Sequence, residues 1–378
     1  MLENISKRTT SVLTKKENLE KIFQIPKFPV YAGCVDTPEN KDVFLDMDVS
    51  ICKDTGIIQF DLIPPIELIY LRPHNDSIGK TWQEHHNEFA NFISKYPIKK
   101  VLEIGGGTTK IAKRVIEKHP DIDWTIIDPN MVDSNISQIH FIRNYFNNEL
   151  EIDRDFDLVI HSHTIEHMKD PNQFVYDVSG FLVDSGYHIF SFPNMISYLS
   201  KKYLNCLNFE HPQFLAEPFI DVILENNGFC ILEKKLFKED HSIFYATKKI
   251  NNKTKINFPN NYIEYKRLYL DFINYYKKFI SEINLKLKEF SGEVYIFGAH
   301  MFSQYLIAFG LDQEKIVGIL DNSELKIGKR LYGTKFNVFH PNKIKNKKNV
   351  VIILKVATYR DEILEQIFKI NPLVEIFE

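Results

Sequence analysis

Cysteine is scarce in this chain and scattered where it occurs. Cys34, Cys52, Cys206 and Cys230 lie far apart, with no C-x-x-C pair among them. That spacing excludes a disulfide framework and reads as free thiols in a reducing cytosol. Charge of one sign is missing too. With 47 Lys and Arg against 50 Asp and Glu, the net charge is -3, which gives no broad electrostatic footprint for nucleic acid. The aromatic-proline signature N-P-P-Y of base-flipping enzymes is also missing. No apolar run approaches a membrane span, and Met1 to Ile22 is charged without an apolar signal core. The expectation is a cytoplasmic protein with neither a nucleic acid nor a membrane as partner.

What is present is ordinary globular composition, 44% hydrophobic and 26% charged. At 378 residues the chain exceeds a single ordinary core, so more than one domain is expected.

The strongest local pattern is Val101-Leu102-Glu103-Ile104-Gly105-Gly106-Gly107-Thr108-Thr109. A short β-type run enters a glycine turn, a helix-like segment follows to Glu117, and a second strand, Trp124 to Ile127, delivers Asp128. This is the first βαβ unit of a nucleotide-binding sheet, in which glycines let a ligand approach the backbone and a strand-end acid holds a ribose diol. A dinucleotide site would carry a third glycine where Lys110 stands. Glu103, two residues before Gly105, would repel a pyrophosphate but suits a ligand bearing a cation.

Further segments follow in order. Phe156-Asp157-Leu158-Val159-Ile160-His161-Ser162-His163-Thr164-Ile165-Glu166-His167 is a buried-strand run entering a polar loop, followed by Asp170-Pro171 and an amphipathic helix. Phe190-Ser191-Phe192-Pro193-Asn194 ends another strand, and Phe141 to Phe146, with Asn144 in it, lies between the two acid-bearing regions. Together with the E-x-G-x-G turn, these segments resemble class I S-adenosylmethionine (SAM) methyltransferases. The resemblance implies SAM as cofactor, held by Glu103, Gly105, Gly107, Asp128, Asn144 and Ser162.

Four regions are expected: an irregular N-terminal module (1–80), a SAM-binding core (81–250), a linker with a long helix (251–290) and a small C-terminal lobe (291–378). The core opens on an amphipathic helix around Trp82 to Phe89. The long helix is read from apolar residues at helical spacing, Leu268, Phe272, Tyr276, Phe279, Ile283 and Leu287. The last lobe echoes the first nucleotide-binding unit: Glu293 to Phe297 runs into Gly298-Ala299-His300, and a second strand ends at Asp321. With one turn glycine, a second complete cofactor site is not expected there. The fold class is α/β, a class I methyltransferase Rossmann-like core with a small irregular N-terminal module and a second small Rossmann-like C-terminal lobe.

That order of parts resembles the nucleotide-sugar C-methyltransferase family of deoxysugar pathways. The matches are Thr81-Trp82-Gln83-Glu84-His85, the run Gly298-Ala299-His300 with Asp321-Asn322-Ser323 and Lys326-Ile327-Gly328, and Asn208-Phe209-Glu210-His211, where the family has Tyr-x-Glu-His. Two departures matter. The family's N-terminal module holds zinc with four ligands, mostly cysteines. Here only Cys34 and Cys52 remain and distant residues such as His74 would have to complete a site, so no metal is expected. The family's tyrosine is replaced by Asn208. C-methylation beside a ketone needs an enolate stabilised, whereas O-methylation needs only a base for the hydroxyl proton.

The expected function is therefore SAM-dependent methylation of a hydroxyl on a nucleotide-linked sugar destined for a surface polysaccharide, with C-methylation of a keto-sugar as the alternative. A non-catalytic SAM-binding scaffold is the alternative of another class. His211 is the expected general base, since an ordinary imidazole is largely neutral at cytosolic pH. Glu210 would orient it or bind sugar, and His163 is an alternative catalytic group. Asn208, His167 and His241 are the expected substrate contacts.

Overall fold

The computed structural model describes residues 5–71, 79–130, 136–250 and 255–378. His74 and the Asn251 to Thr254 part of the linker lie outside the described residues. The chain divides into two compact units. One comprises Ser77–Ser197 and Phe214–Asn260; the other comprises Met1–Asp76, Tyr198–Gln213 and Asn261–Glu378.

The first unit is built on a seven-stranded sheet. Its strands are β1 (Lys100–Ile104), β2 (Asp123–Ile127), β3 (Ile139–Ile142), β4 (Phe156–Ser162), β5 (Leu182–Pro193), β6 (Phe229–Phe237) and β7 (Ser242–Lys249). Their order is β6-β7-β5-β4-β1-β2-β3. β7 is the reversed strand, antiparallel to both β5 and β6. β1 pairs in parallel with β4 on one side and β2 on the other. The strand order therefore switches direction at β1, and ligands of open α/β sheets bind at the carboxyl ends beside such a switch.

Helices α1 (Lys80–Ile93) and α2 (Lys110–Ile116) pack Phe89, Phe92, Ile93, Ile111 and Val115 against Val101, Trp124, Ile126 and Leu158 of the sheet. Such side chains each contribute about 1.5–3 kcal/mol on burial. Helix α3 (Pro171–Phe181) starts where its sequence dictates: Asp170 accepts the Gln173 amide at 3.2 Å, and Pro171 supplies the preset φ of the first turn.

The second unit joins the chain's two ends. A three-stranded antiparallel sheet holds Leu19–Pro29, Phe44–Cys52 and Ile58–Phe60. The first of these is not evident from the sequence, because Pro26 and Pro29 interrupt its pattern. It tolerates Pro26 through a bulge between Ile25 and Phe28, with Lys27 at φ +50°. A long helix runs Tyr262–Glu289, and its buried stripe starts at Tyr265 and Tyr269, with Leu268 half-buried. The C-terminal lobe is a five-stranded parallel sheet centred on Glu293–Phe297.

Long-range bonds make these parts one unit. Cys34–Val35 pairs antiparallel with Arg330–Leu331. The buried Asp42 carboxylate binds the Arg330 guanidinium in a fork, at 2.6 and 2.8 Å. The Gln304 side-chain amide donates to the carbonyls of Tyr31 and Tyr332. Tyr198–Gln213, which the sequence reading placed within the SAM core, packs in this second unit instead.

Candidate active site

The glycine turn leaves β1 with Gly105 at φ +79°, a left-handed conformation that disfavours side chains. A Cβ on Gly106 would lie 2.3 Å from Cδ of Glu103, and one on Gly107 would lie 2.7 Å from Oδ2 of Asp128. The three glycines are therefore fixed by what surrounds them as well as by the turn. Asp128, half-buried at the end of β2, accepts the Gly107 amide on Oδ2 at 2.9 Å and the Asn130 amide on Oδ1 at 2.7 Å. An ionised carboxylate offers about four acceptor positions, so capacity for a diol remains. Glu103 lies beneath the turn and accepts the Trp124 indole N–H at 2.8 Å. Burial pushes its carboxyl up to about 8, opposed by the Trp124 bond. A cation beside it would favour its ionised form.

Ser162, at the end of β4, bonds Ser191 at 2.8 Å between hydroxyls. The next residue, His163, is held at φ +53° and donates its amide to the Ser191 carbonyl. A non-glycine residue in that region stores strain. Its Nδ1 lies 3.2 Å from Oε1 of the buried Glu166, and its Nε2 lies 2.8 Å from the Ser242 hydroxyl. Burial pushes its imidazole down to about 3, so it is a poor proton acceptor at neutral pH. His241 is buried close by with its Nδ1 2.5 Å from Ser242 Oγ. Half-buried His167 donates its amide to the Thr164 carbonyl. Asn144 is exposed after β3, with its side-chain oxygen accepting the Tyr145 amide.

Two residues here were not named as site residues from sequence. His85, on α1, is fully buried with its ring 5.3 Å from that of His163 and 5.4 Å from that of His241. Trp82, one turn earlier, packs edge-on to both His163 and His241 at 4.9 Å. The available signal was the Trp-x-x-His spacing, which places both rings on one helix face.

Asn208, Glu210 and His211 belong to the second unit, within Tyr198–Gln213. Asn208 builds their turn: its Oδ1 accepts the amides of Glu210 at 2.8 Å and His211 at 3.3 Å. Phe209 anchors the turn against Phe28 and Phe60, and the Pro212 carbonyl accepts from the Phe60 amide and from Arg8. The His211 Nδ1 lies 3.0 Å from the Asn205 carbonyl. A carbonyl only accepts, so Nδ1 carries the proton and Nε2 the lone pair of the neutral ring.

The C-terminal lobe repeats the geometry of the glycine turn. Ala299 donates its amide to Oδ2 of Asp321 at 2.8 Å, as Gly107 does to Asp128. Here, however, Lys326 lies 3.2 Å from the same oxygen and the Ser323 amide occupies Oδ1. The lobe keeps the scaffold of a nucleotide site while its acid is engaged internally.

A methyltransferase-domain family model matches residues 78–234, and a model of the C-methyltransferase C-terminal domain matches residues 246–372. Residues 78–234 thus carry a methyltransferase domain. Residues 246–372 carry a C-methyltransferase C-terminal domain.

The chain is similar to solved structures at low identity. An O-methyltransferase candidate of Nostoc punctiforme is 14% identical over 45% of this chain and 57% of that one, with a TM-score of 0.37. An O-methyltransferase family protein of Burkholderia thailandensis is 13% identical over 46% and 61%, also at 0.37. The plantazolicin methyltransferase BpumL, solved with SAH, is 12% identical over 45% and 84%, at 0.35. The chain thus spans under two thirds of the length of the first two. No curated protein matches it by sequence.

Proposed function

We propose that the protein is a SAM-dependent methyltransferase acting on a hydroxyl of a nucleotide-linked sugar, with His211 as general base. The observation that carries this reading is the His211–Asn205 bond, which places the proton on Nδ1 and makes Nε2 the basic nitrogen of the neutral ring. SAM supplies an electrophilic methyl on a sulfonium. His211 would take the proton of the acceptor hydroxyl at Nε2, leaving the oxygen free to accept the methyl group that bound SAM would supply. Asp128 would accept the ribose hydroxyls, Gly105 and Gly107 would leave room for the cofactor, and Glu103 would face its positive charge.

A cavity of about 290 Å³ in the second unit supports an anionic substrate. Lys201, Lys202, Lys355 and Arg360 line it together with Tyr276, although Glu378 offsets part of the charge through its pairing with Arg360. Clustered cations suit phosphate groups.

C-methylation of a nucleotide-linked keto-sugar is the second reading, favoured by the match to the C-methyltransferase C-terminal domain. Asn208 keeps a buried Nδ2 without a hydrogen-bond partner, and an amide N–H donates to an enolate oxygen as a phenol does. Incubation with SAM and a panel of nucleotide sugars, followed by NMR of the product, tests both. A methoxy carbon resonance supports the O-methyl reading, and a methyl on carbon transfers the assignment to the second. SAM affinity without turnover on any nucleotide sugar would overturn both and leave a scaffold.

A further inference from the structure

We propose that His85, His163 and His241 form a binding site for a divalent first-row transition-metal ion, zinc being the best fit. One potential ligand atom from each of the three imidazoles lies within 4.8 Å of the others. The residues come from three separate elements: helix α1, the loop after β4, and the segment entering β7.

Both ring nitrogens of His85 are buried without a hydrogen-bond partner, as is Nε2 of His241. A buried polar atom left unpaired is costly, so three in one place need a reason. A shared cation supplies one. Depressed imidazole pKa values agree: burial keeps all three rings neutral and their lone pairs available at neutral pH.

The surroundings are those of a ligand set. Metal-bound histidines usually donate their other N–H to an oxygen acceptor. Glu166 faces Nδ1 of His163 and Ser242 faces Nδ1 of His241, directing Nε2 of each ring inward. The Ser242 hydroxyl hydrogen can turn off Nε2 of His163 while its Oγ still accepts from Nδ1 of His241. Zinc takes imidazole nitrogens at about 2.0–2.1 Å, and three protein ligands plus water is a common coordination set. Trp82, Phe237 and Phe244 shield the cluster, and the neighbouring cation Lys238 is neutralised by Glu84 at 2.8 Å.

The site goes beyond the methyl-transfer reading and fails separately from it, because SAM binding is measured in parallel. The full chain, stripped with a chelator, is titrated with cobalt(II) and then zinc(II). The expected result is one equivalent of cobalt with visible d–d bands of low-symmetry coordination, displaced by zinc, and a raised melting temperature. His85→Phe, an apolar substitution into a ring cluster already rich in Phe, should weaken binding at least 100-fold with SAM affinity retained. His241→Gln should do the same. Absence of stoichiometric binding in the wild type, or its persistence in both variants, would overturn the site.

Discussion

The backbone amide of Gly107 donates to the carboxylate of Asp128 at 2.9 Å, tying the glycine turn to the end of the neighbouring strand. The acid thus has two tasks, holding the turn and presenting its remaining lone pairs. Asp128→Ala should weaken SAM binding by about 1.5–3 kcal/mol, the scale of hydrogen bonds to a charged group. Gly107→Ala should weaken it as well, because the new Cβ would sit 2.7 Å from Asp128 Oδ2. Calorimetric titration with SAM checks both, and unchanged affinity in Asp128→Ala would reject the pocket.

Removing the proposed base should separate chemistry from cofactor binding. His211→Ala should lower kcat by roughly 10²–10⁴-fold while leaving SAM affinity intact, since the residue belongs to the unit that lacks the glycine turn. Single-turnover rates and SAM titrations on one preparation provide the readout. Near-native turnover would exclude His211 as the base.

Arg330 and Asp42 form a forked ion pair with side chains 10% and 1% exposed, and Asp42 also accepts the Gly333 amide at 2.7 Å. Truncating one partner strands a buried charge. Arg330→Ala should therefore destabilise the second unit by about 3–5 kcal/mol. Denaturant unfolding measures the loss, which should exceed that of the exposed Lys369→Ala, whose pairing with Glu365 lies at the surface.

The imidazoles of His161 and His188, on adjacent strands, meet Nε2 to Nε2 at 3.0 Å in the core. Burial pushes His188 down to about 3 and holds His161 well below its ordinary value, with His188 adding to the latter shift. Between about pH 6.5 and 3 the unfolded chain takes up protons that the folded chain refuses. Stability is thus complete above pH 6.5 and is lost as pH falls, by up to about 1.4 kcal/mol per pH unit for each proton. His188→Phe should flatten this slope. Unfolding midpoints measured from pH 4 to 7 test it, and parallel curves for both proteins would disprove the assignment.

The sequence by itself determined the local machinery. Val101 to Thr109 specified strand, turn and helix, because glycine needs and strand periodicity act over a few residues. Asp128 at the next strand end and the echo at Gly298 and Asp321 were legible for the same reason, and they carried the class I fold. Only the tertiary structure decided what distant segments do together. It moved Tyr198–Gln213 out of the unit that carries the glycine turn and gave Asn208 the task of building the His211 turn. It joined Asp42 to Arg330 and gathered His85, His163 and His241 from three elements. No local pattern encodes such meetings, since side-chain periodicity reports which face is buried but not which distant residue it is buried against.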